Sequence, residues 1–215
     1  MADFVDLKTP YTVNHSSGVA QLASVAAQNY GMPQTDVINI RHAAYLHDLG
    51  RVGISTLLWN KPGALTDGEW ESVRLHSYYS ERILSRSKRL SQLGTVAAAH
   101  HERLNGTGYH RRLSASLLSP LARILAAADV YHAMTEPRPH RPALSPDAAA
   151  ETLRAEVRAG CLDGEAVKAV LGAASHKSTP TRRAWVAGLT DREVEVLRLI
   201  ARGLSNREIA QRLSI

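Results

Sequence analysis

His47-Asp48, followed far downstream by His100-His101-Glu102 and then by Asp129, sets ionisable groups at the ends of apolar runs. Leu46 and Leu49 flank the first pair, Val96-Ala97-Ala98-Ala99 precedes the second group, and Ala126-Ala127-Ala128 leads into Asp129. Ionisable side chains in apolar surroundings are costly unless something pairs with them, and a divalent cation is the usual partner. The chain is therefore constrained to a fold that brings these segments to one place. A hydrogen-bonded dyad in the core would account for one such pair. Three converging groups point to a metal site.

Composition narrows the fold class. The 215 residues leave room for one full domain and a small appendage. Hydrophobic residues make up 44% and aromatics only 5%, so the core is built from Leu, Ala, Val and Ile, which suits helices. Cys161 is the only cysteine, which excludes an intrachain disulfide and a thiolate metal site. No apolar run approaches the length of a membrane span, and Met1-Ala2-Asp3-Phe4-Val5-Asp6 lacks a signal pattern. The expected compartment is the cytoplasm, with no membrane partner. Of the net charge of +6, residues 1–176 carry 18 basic against 16 acidic side chains, and residues 177–215 carry 8 against 4. The excess in the last stretch fits contact with nucleic acid, although charge alone favours a solvated basic tail.

Helical periodicity runs through most of the chain. Val19, Leu22, Ala23, Ala26 and Ala27 repeat at helix spacing until Gly31 and Pro33 end the run. A second helix is predicted over 35–50, carrying Ile38, Ala43, Leu46 and His47. Thr66 before Asp67-Gly68-Glu69 reads as a capping box opening a long helix through Trp70, Val73, His76 and Ile83-Leu84. The next helix is predicted over 90–103, followed by a glycine-rich loop over 106–112. Pro120 opens a helix whose last turns hold Asp129, Tyr131 and Met134, and the proline-rich stretch 136–142 must be an extended loop. Ser145-Pro146-Asp147 caps a helix to Ala159, and Asp163 caps a short one to about Ala174. Residues 177–188 read as a basic linker, before a helix pair over 190–201 and 205–213 joined by Gly203.

From about His15 to Ala174 the chain resembles the HD-GYP family, a branch of the HD-domain metal phosphohydrolases. The resemblance rests on His47-Asp48-Leu49-Gly50-Arg51, Lys61-Pro62-Gly63, Leu65-Thr66, the lone His76, His100-His101-Glu102, Gly106-Thr107-Gly108-Tyr109, Pro120-Leu121-Ala122-Arg123-Ile124, Ala128-Asp129 and Arg138-Pro139. It implies an all-α HD-domain bundle over 1–176 with a metal pocket. It also implies the ligands: His15, His47, Asp48 and Asp129 on one metal, with Asp48 bridging to a second held by His76, His100 and His101. Two cations roughly 3.5–4 Å apart suit phosphodiester hydrolysis. Nitrogen and oxygen donors without thiolate fit iron or manganese, the expected metals, and are compatible with zinc. The implied substrate is a phosphoester or cyclic dinucleotide such as cyclic-di-GMP, with Asp48 and Arg51 catalytic and Arg51, Asn105, Gly108, Tyr109 and His110 around the substrate. Tyr11 stands where a third metal would need a glutamate, so two metals are implied. His42, His132 and His176 are read as structural or surface residues.

Several positions depart from the family pattern. Arg51 stands for the usual lysine, Asn105 for an aspartate, His110 for the proline of the family's name, and His132 for a common aspartate. An arginine can grip a phosphate in a fork but cannot release a proton as lysine could. These changes leave the ligands intact and bear on substrate recognition. The competing reading is a non-catalytic sensor whose metal pocket binds a nucleotide and controls the C-terminal segment.

Gly188-Leu189-Thr190-Asp191-Arg192-Glu193-Val194-Glu195-Val196-Leu197, then Gly203-Leu204-Ser205-Asn206-Arg207-Glu208-Ile209-Ala210, resemble the LuxR-type helix-turn-helix. The motif would occupy 189–215, with a small core of Val194, Leu197, Leu199, Ile200, Ile209 and Leu213. In that family the helix entering the major groove begins beyond Ile215, so this stretch is expected to supply the scaffold without the reader. Arg207 and Arg212 would touch DNA phosphates without reading sequence, and DNA would be a partner only of a longer form. The alternative is an unrelated helical hairpin. A homodimer is compatible with the sequence.

Overall fold

The structure, a computed structural model, describes residues 2–139, 141–175, 191–201 and 204–213. The chain divides into two compact units, Met1–His176 and Lys177–Ile215. The first consists of α1 Ala2–Asp6, α2 His15–Asn29, α3 Gln34–Leu46, a 3₁₀ turn Leu49–Gly53, α4 Thr56–Trp59, α5 Asp67–Leu84, α6 Ser91–Ala98, a second 3₁₀ turn Ala115–Leu117, α7 Pro120–Met134, α8 Pro146–Arg158 and α9 Gly164–Ser175. Among the described residues there is no strand, only isolated bridges at Asn105–Ser114 and Arg138–Arg141.

Helix α2 is the axis of the unit and packs on α3, α7 and α9. Its inward face is Val19, Ala20, Leu22, Ala23, Ala26 and Ala27, all buried, and it meets Ala43 and Ala44 of α3 and Ala126, Ala127 and Ala128 of α7. Alanine at these contacts lets helix backbones approach closely, which explains a dense core with few aromatics. Gly31, at φ +85°, turns the chain out of α2. The expected capping box opens α5: Thr66 N–H donates to Glu69 Oε2 at 2.7 Å, and Thr66 Oγ1 accepts from Glu69 N–H.

Two helices end earlier than their periodicity predicted. The helix over 35–50 stops at Leu46, and the one over 90–103 stops at Ala98, so His47-Asp48 and His100-His101 lie just past helix ends. Consecutive residues on a helix point about 100° apart, so a continued helix would splay each pair. The turn after α6 is tied down by Glu102, whose carboxylate accepts from Arg111 N–H at 3.2 Å and Leu113 N–H at 2.8 Å. After α3, Gly50 packs so closely on α5 that a Cβ there would lie 2.0 Å from the His76 carbonyl oxygen and 2.4 Å from Ser80 N.

In the second unit, α10 Asp191–Ala201 and α11 Asn206–Leu213 enclose Leu199, Ile209 and Leu213, with Val196 and Leu204 partly buried. Leu197 and Ile200, expected in this core, are 49% and 51% exposed. The reason is phase: Val196 and Leu199 share a face, and Leu197 and Ile200 are each rotated one step from it. The Val194 side chain, Gly203 and the linker over 177–188 lie outside the described residues. Ser205 and Glu208 cap α11, with Ser205 N–H donating to Glu208 Oε2 at 2.8 Å.

Gly50→Ala is expected to destabilise the first unit by about 3 kcal/mol, the upper range for forcing a methyl into a packed site. Gly68→Ala, where a Cβ meets nothing within 4 Å, should stabilise α5 by up to about 1 kcal/mol. Urea denaturation of both variants checks the contrast.

Candidate metal centre

Three histidines are held the same way. His47, His76 and His100 each present Nδ1 at 2.6 Å to the carbonyl oxygen three residues earlier, those of Ala44, Val73 and Ala97. A carbonyl can only accept, so the ring proton sits on Nδ1 and the Nε2 lone pair faces inward. His76 Nε2 and His100 Nε2 then face each other at 3.2 Å with no proton between them. His47 Nε2 is buried without a hydrogen-bond partner. Inward lone pairs packed this closely repel one another unless a cation draws them together, and they fit a metal.

Asp48 lies between two groups of donors. Its Oδ1 is 3.5 Å from His76 Nε2 and 3.8 Å from His100 Nε2. Its Oδ2 is 3.5 Å from His47 Nε2, 4.0 Å from His15 Nε2 and 2.8 Å from Arg51 Nη1. Asp129 Oδ1 is 3.1 Å from His15 Nε2 and 3.6 Å from His47 Nε2, and its Oδ2 is 3.8 Å from His101 Nδ1. One set of donor atoms, from His15, His47 and Asp129, lies within 4.8 Å of one another, and so does a second, from His76, His100 and His101. The structure thus gathers all seven residues expected as ligands into one buried centre.

Electrostatics splits the donor set: the carboxylates and three imidazoles are held in their metal-binding forms, whereas His47, where burial is outweighed by Asp48 and Asp129, is raised. Burial alone would raise the Asp48 carboxyl, but the Arg51 guanidinium and then His47 hold it well below the usual carboxylate range. Burial of Asp129 is likewise outweighed, by the hydrogen bond with His15 and by the neighbouring His47 and His101 rings. His100 is pushed down to about 3, by burial first and by its histidine neighbours next. Burial also lowers His76 and His101. Two ionised carboxylates therefore sit among three neutral imidazoles.

His15 differs from the other candidate ligands because a carboxylate side chain stands behind it. Its Nδ1 is 2.9 Å from Glu136 Oε2. Burial would lower its pKa, but hydrogen bonds to Asp129 and Glu136 raise it to about 9. Glu136 is itself held by Arg138 Nη2 at 3.2 Å and by His132 Nδ1 at 3.5 Å. His132, expected as a structural or surface residue, has its Nδ1 3.3 Å from His15 Nδ1. Its ring fits because position 18 is glycine: a Cβ there would lie 1.9 Å from His132 Nε2. Two signals could have revealed this pair, a glycine inside α2 one turn after His15 and a glutamate one turn after His132.

A cavity of about 390 Å³ opens over the centre, with His15, Asp48, His76, His101 and Asp129 in its lining. Of the residues expected around the substrate, Arg51 and Tyr109 line it, and Asn105, Gly108 and His110 do not. Tyr109 sits over His101, ring centroids 4.3 Å apart. Gly108 lets the loop press on the turn after α6, since a Cβ there would lie 2.4 Å from Glu102 Cα. Asn105 Oδ1 is used within the loop, accepting from Thr107 Oγ1 at 2.7 Å and Thr107 N–H at 3.2 Å. His110 is drawn to α5, where its Nε2 is 3.6 Å from Glu81 Oε2. Trp59, Lys61, Trp70 and Arg138 line the cavity and were not expected there.

With this geometry in view, comparison with known proteins identifies the class. Residues 1–166 match the HD domain family, and residues 187–215 match the luxR family of bacterial regulatory proteins. The chain belongs to the HD domain family. It is 40% identical over 145 residues to 3'3'-cGAMP-specific phosphodiesterase 3 of Vibrio cholerae, covering 67% of this chain and 32% of that protein. It is 37% identical over 143 residues to a cyclic di-GMP phosphodiesterase of Thermotoga maritima, covering 66% of this chain and 38% of that one. The chain thus spans roughly a third of the length of these curated relatives. An HDG"Y"P protein from Bdellovibrio bacteriovorus shares the fold, at a TM-score of 0.64 and 19% identity over 78% of this chain and 53% of that one.

If Glu136 fixes the His15 tautomer, Glu136→Gln should weaken metal binding about 10–100-fold, the usual effect of losing a carboxylate behind a ligating histidine. Titration against a chromophoric chelator checks this. An unchanged affinity would mean that Glu136 is irrelevant to the ligand set.

Proposed function

We propose that residues 1–176 form a two-metal phosphodiesterase domain acting on a cyclic dinucleotide. The observation that carries this reading is the placement of the two Asp48 oxygens, each facing a separate group of imidazoles. His15, His47, Asp48 and Asp129 would hold one ion, and Asp48, His76, His100 and His101 the other, with iron or manganese best matched to these donors. When bound, such a pair supplies Lewis acidity and neutralises charge on a phosphodiester.

The chain's own groups do the rest. Arg51, Lys61 and Arg138 give the cavity cationic walls for phosphate, and Tyr109 and Trp70 offer faces on which bases can stack. The relatives named for cyclic di-GMP and 3'3'-cGAMP support this substrate class.

The second reading, a sensor that binds a nucleotide without turnover, is favoured by one observation. Arg51 Nη1 lies 2.8 Å from Asp48 Oδ2 and competes for an oxygen that a metal would need. In both readings the C-terminal segment would contact DNA, with the exposed Arg207 and Arg212 on α11 reaching phosphates. No helix among the described residues is long and apolar enough to cross a membrane. The cytoplasm, which holds both ligands, is the proposed location.

Asp48→Ala should lower bound metal from about two ions per chain to well under one, because a carboxylate shared by both sites is lost. It should also abolish hydrolysis of cyclic-di-GMP and 3'3'-cGAMP. Elemental analysis and nucleotide chromatography read the two effects. Full metal content in the variant would contradict the bridging role, and metal-replete wild type that hydrolyses neither dinucleotide would favour the sensor.

A further inference from the structure

Arg51 is held on two sides. Its Nη1 donates to Asp48 Oδ2 at 2.8 Å, and its guanidinium carbon lies 4.0 Å from the centroid of the Trp59 ring. The arginine is buried, and both residues line the cavity. Trp59 is the last residue of α4, a short helix whose first turn is capped by Ser55, and its ring also meets His76 edge-on at 5.7 Å. The indole therefore meets both the cation and a histidine of the centre.

The polar end of Trp59 does not explain its position. Its Nε1 is buried without a hydrogen-bond partner among the described residues, and an unsatisfied buried donor is normally unfavourable. What the ring does provide is a flat face beneath a flat cation. A guanidinium lying on an aromatic face keeps its N–H groups at its edge, free to point sideways, whereas a lysine ammonium gains no such orientation. Among the described residues, only one of the Arg51 side-chain donors is used, the Nη1 that meets Asp48. The departure from lysine at position 51 and the tryptophan at position 59 thus make sense together.

We propose that Trp59 is a positioning residue: it holds Arg51 so that its remaining N–H groups receive a phosphate oxygen of the ligand. This inference rests on the phosphodiester reading of the cavity, and the Arg51–Trp59 pair can be tested apart from turnover.

The test is a double-mutant cycle on the affinity of metal-loaded protein for inorganic phosphate, measured by calorimetry with Trp59→Leu, Trp59→Phe and Arg51→Met. Trp59→Leu should weaken phosphate binding about tenfold and Trp59→Phe about threefold, the scale of a desolvated cation–π contact. In the Arg51→Met background neither change should weaken it further. If Trp59→Leu does not fold, the Trp59→Phe arm decides alone. In metal-free ¹⁵N-labelled protein the Arg51 Nε–H resonance should be ring-current shifted and should move toward its ordinary position in the position-59 variants. On any hydrolysed dinucleotide, Trp59→Phe should raise KM more than it lowers kcat. Equal losses with and without Arg51, no loss at all, or no phosphate binding by the wild type would each overturn the inference. Coupled phosphate binding without hydrolysis would sustain it and defeat the phosphodiesterase reading, while hydrolysis without coupling would do the reverse.

Discussion

Backbone carbonyls three residues back take the Nδ1 protons of His47, His76 and His100, and much of the first unit is organised around that arrangement. Each bond fixes a tautomer and a ring direction, so the Nε2 atoms converge without any further side chain to aim them. The result is a buried set of acceptors with too few protons, costly by itself and favourable only around a cation. Metal binding and folding are therefore linked, and stability should rise with free metal as ligand binding to the native state requires.

The three locked histidines stand at different places on their helices. His47 and His100 follow the ends of α3 and α6, and His76 lies within α5 opposite Gly50. The 3₁₀ turn that carries Arg51 is clamped from the N-terminal segment, where Lys8 Nζ donates to the carbonyls of Arg51 at 2.7 Å, Val52 at 3.0 Å and Ile54. Two residues earlier, buried Asp6 accepts from Ser16 N–H at 2.8 Å and Ser16 Oγ at 2.7 Å, beside His15. One short segment thus braces both the helix that begins at His15 and the turn that presents Asp48 and Arg51.

Much of this was legible in the sequence because the core follows a regular apolar period. Val19 to Ala27 in α2, the Thr66–Glu69 box and the run into Asp129 all fold as their patterns imply. The ends of α3 and α6 were not legible, since the apolar pattern continues past them and the break comes from loop contacts such as those of Glu102. The seven ligand candidates, known from resemblance, converge. The contacts of His132 and Glu136 were not legible because their partner is distant in the chain: His15 lies 117 residues from His132 and 121 from Glu136. Trp59 is near Arg51 in sequence, but the 3₁₀ turn and short helix that carry them follow no apolar period that would pair them. In unit two, the step between Val196 and Leu197 decides burial, and a hydrophobic pattern alone does not assign it.

The most direct test of the centre is anomalous X-ray diffraction from crystals grown with iron or manganese, collected at the edge of the metal supplied. A centre bridged by Asp48 gives two peaks roughly 3.5–4 Å apart, one beside each Asp48 oxygen. A single peak, or two peaks with neither in contact with Asp48, would contradict it.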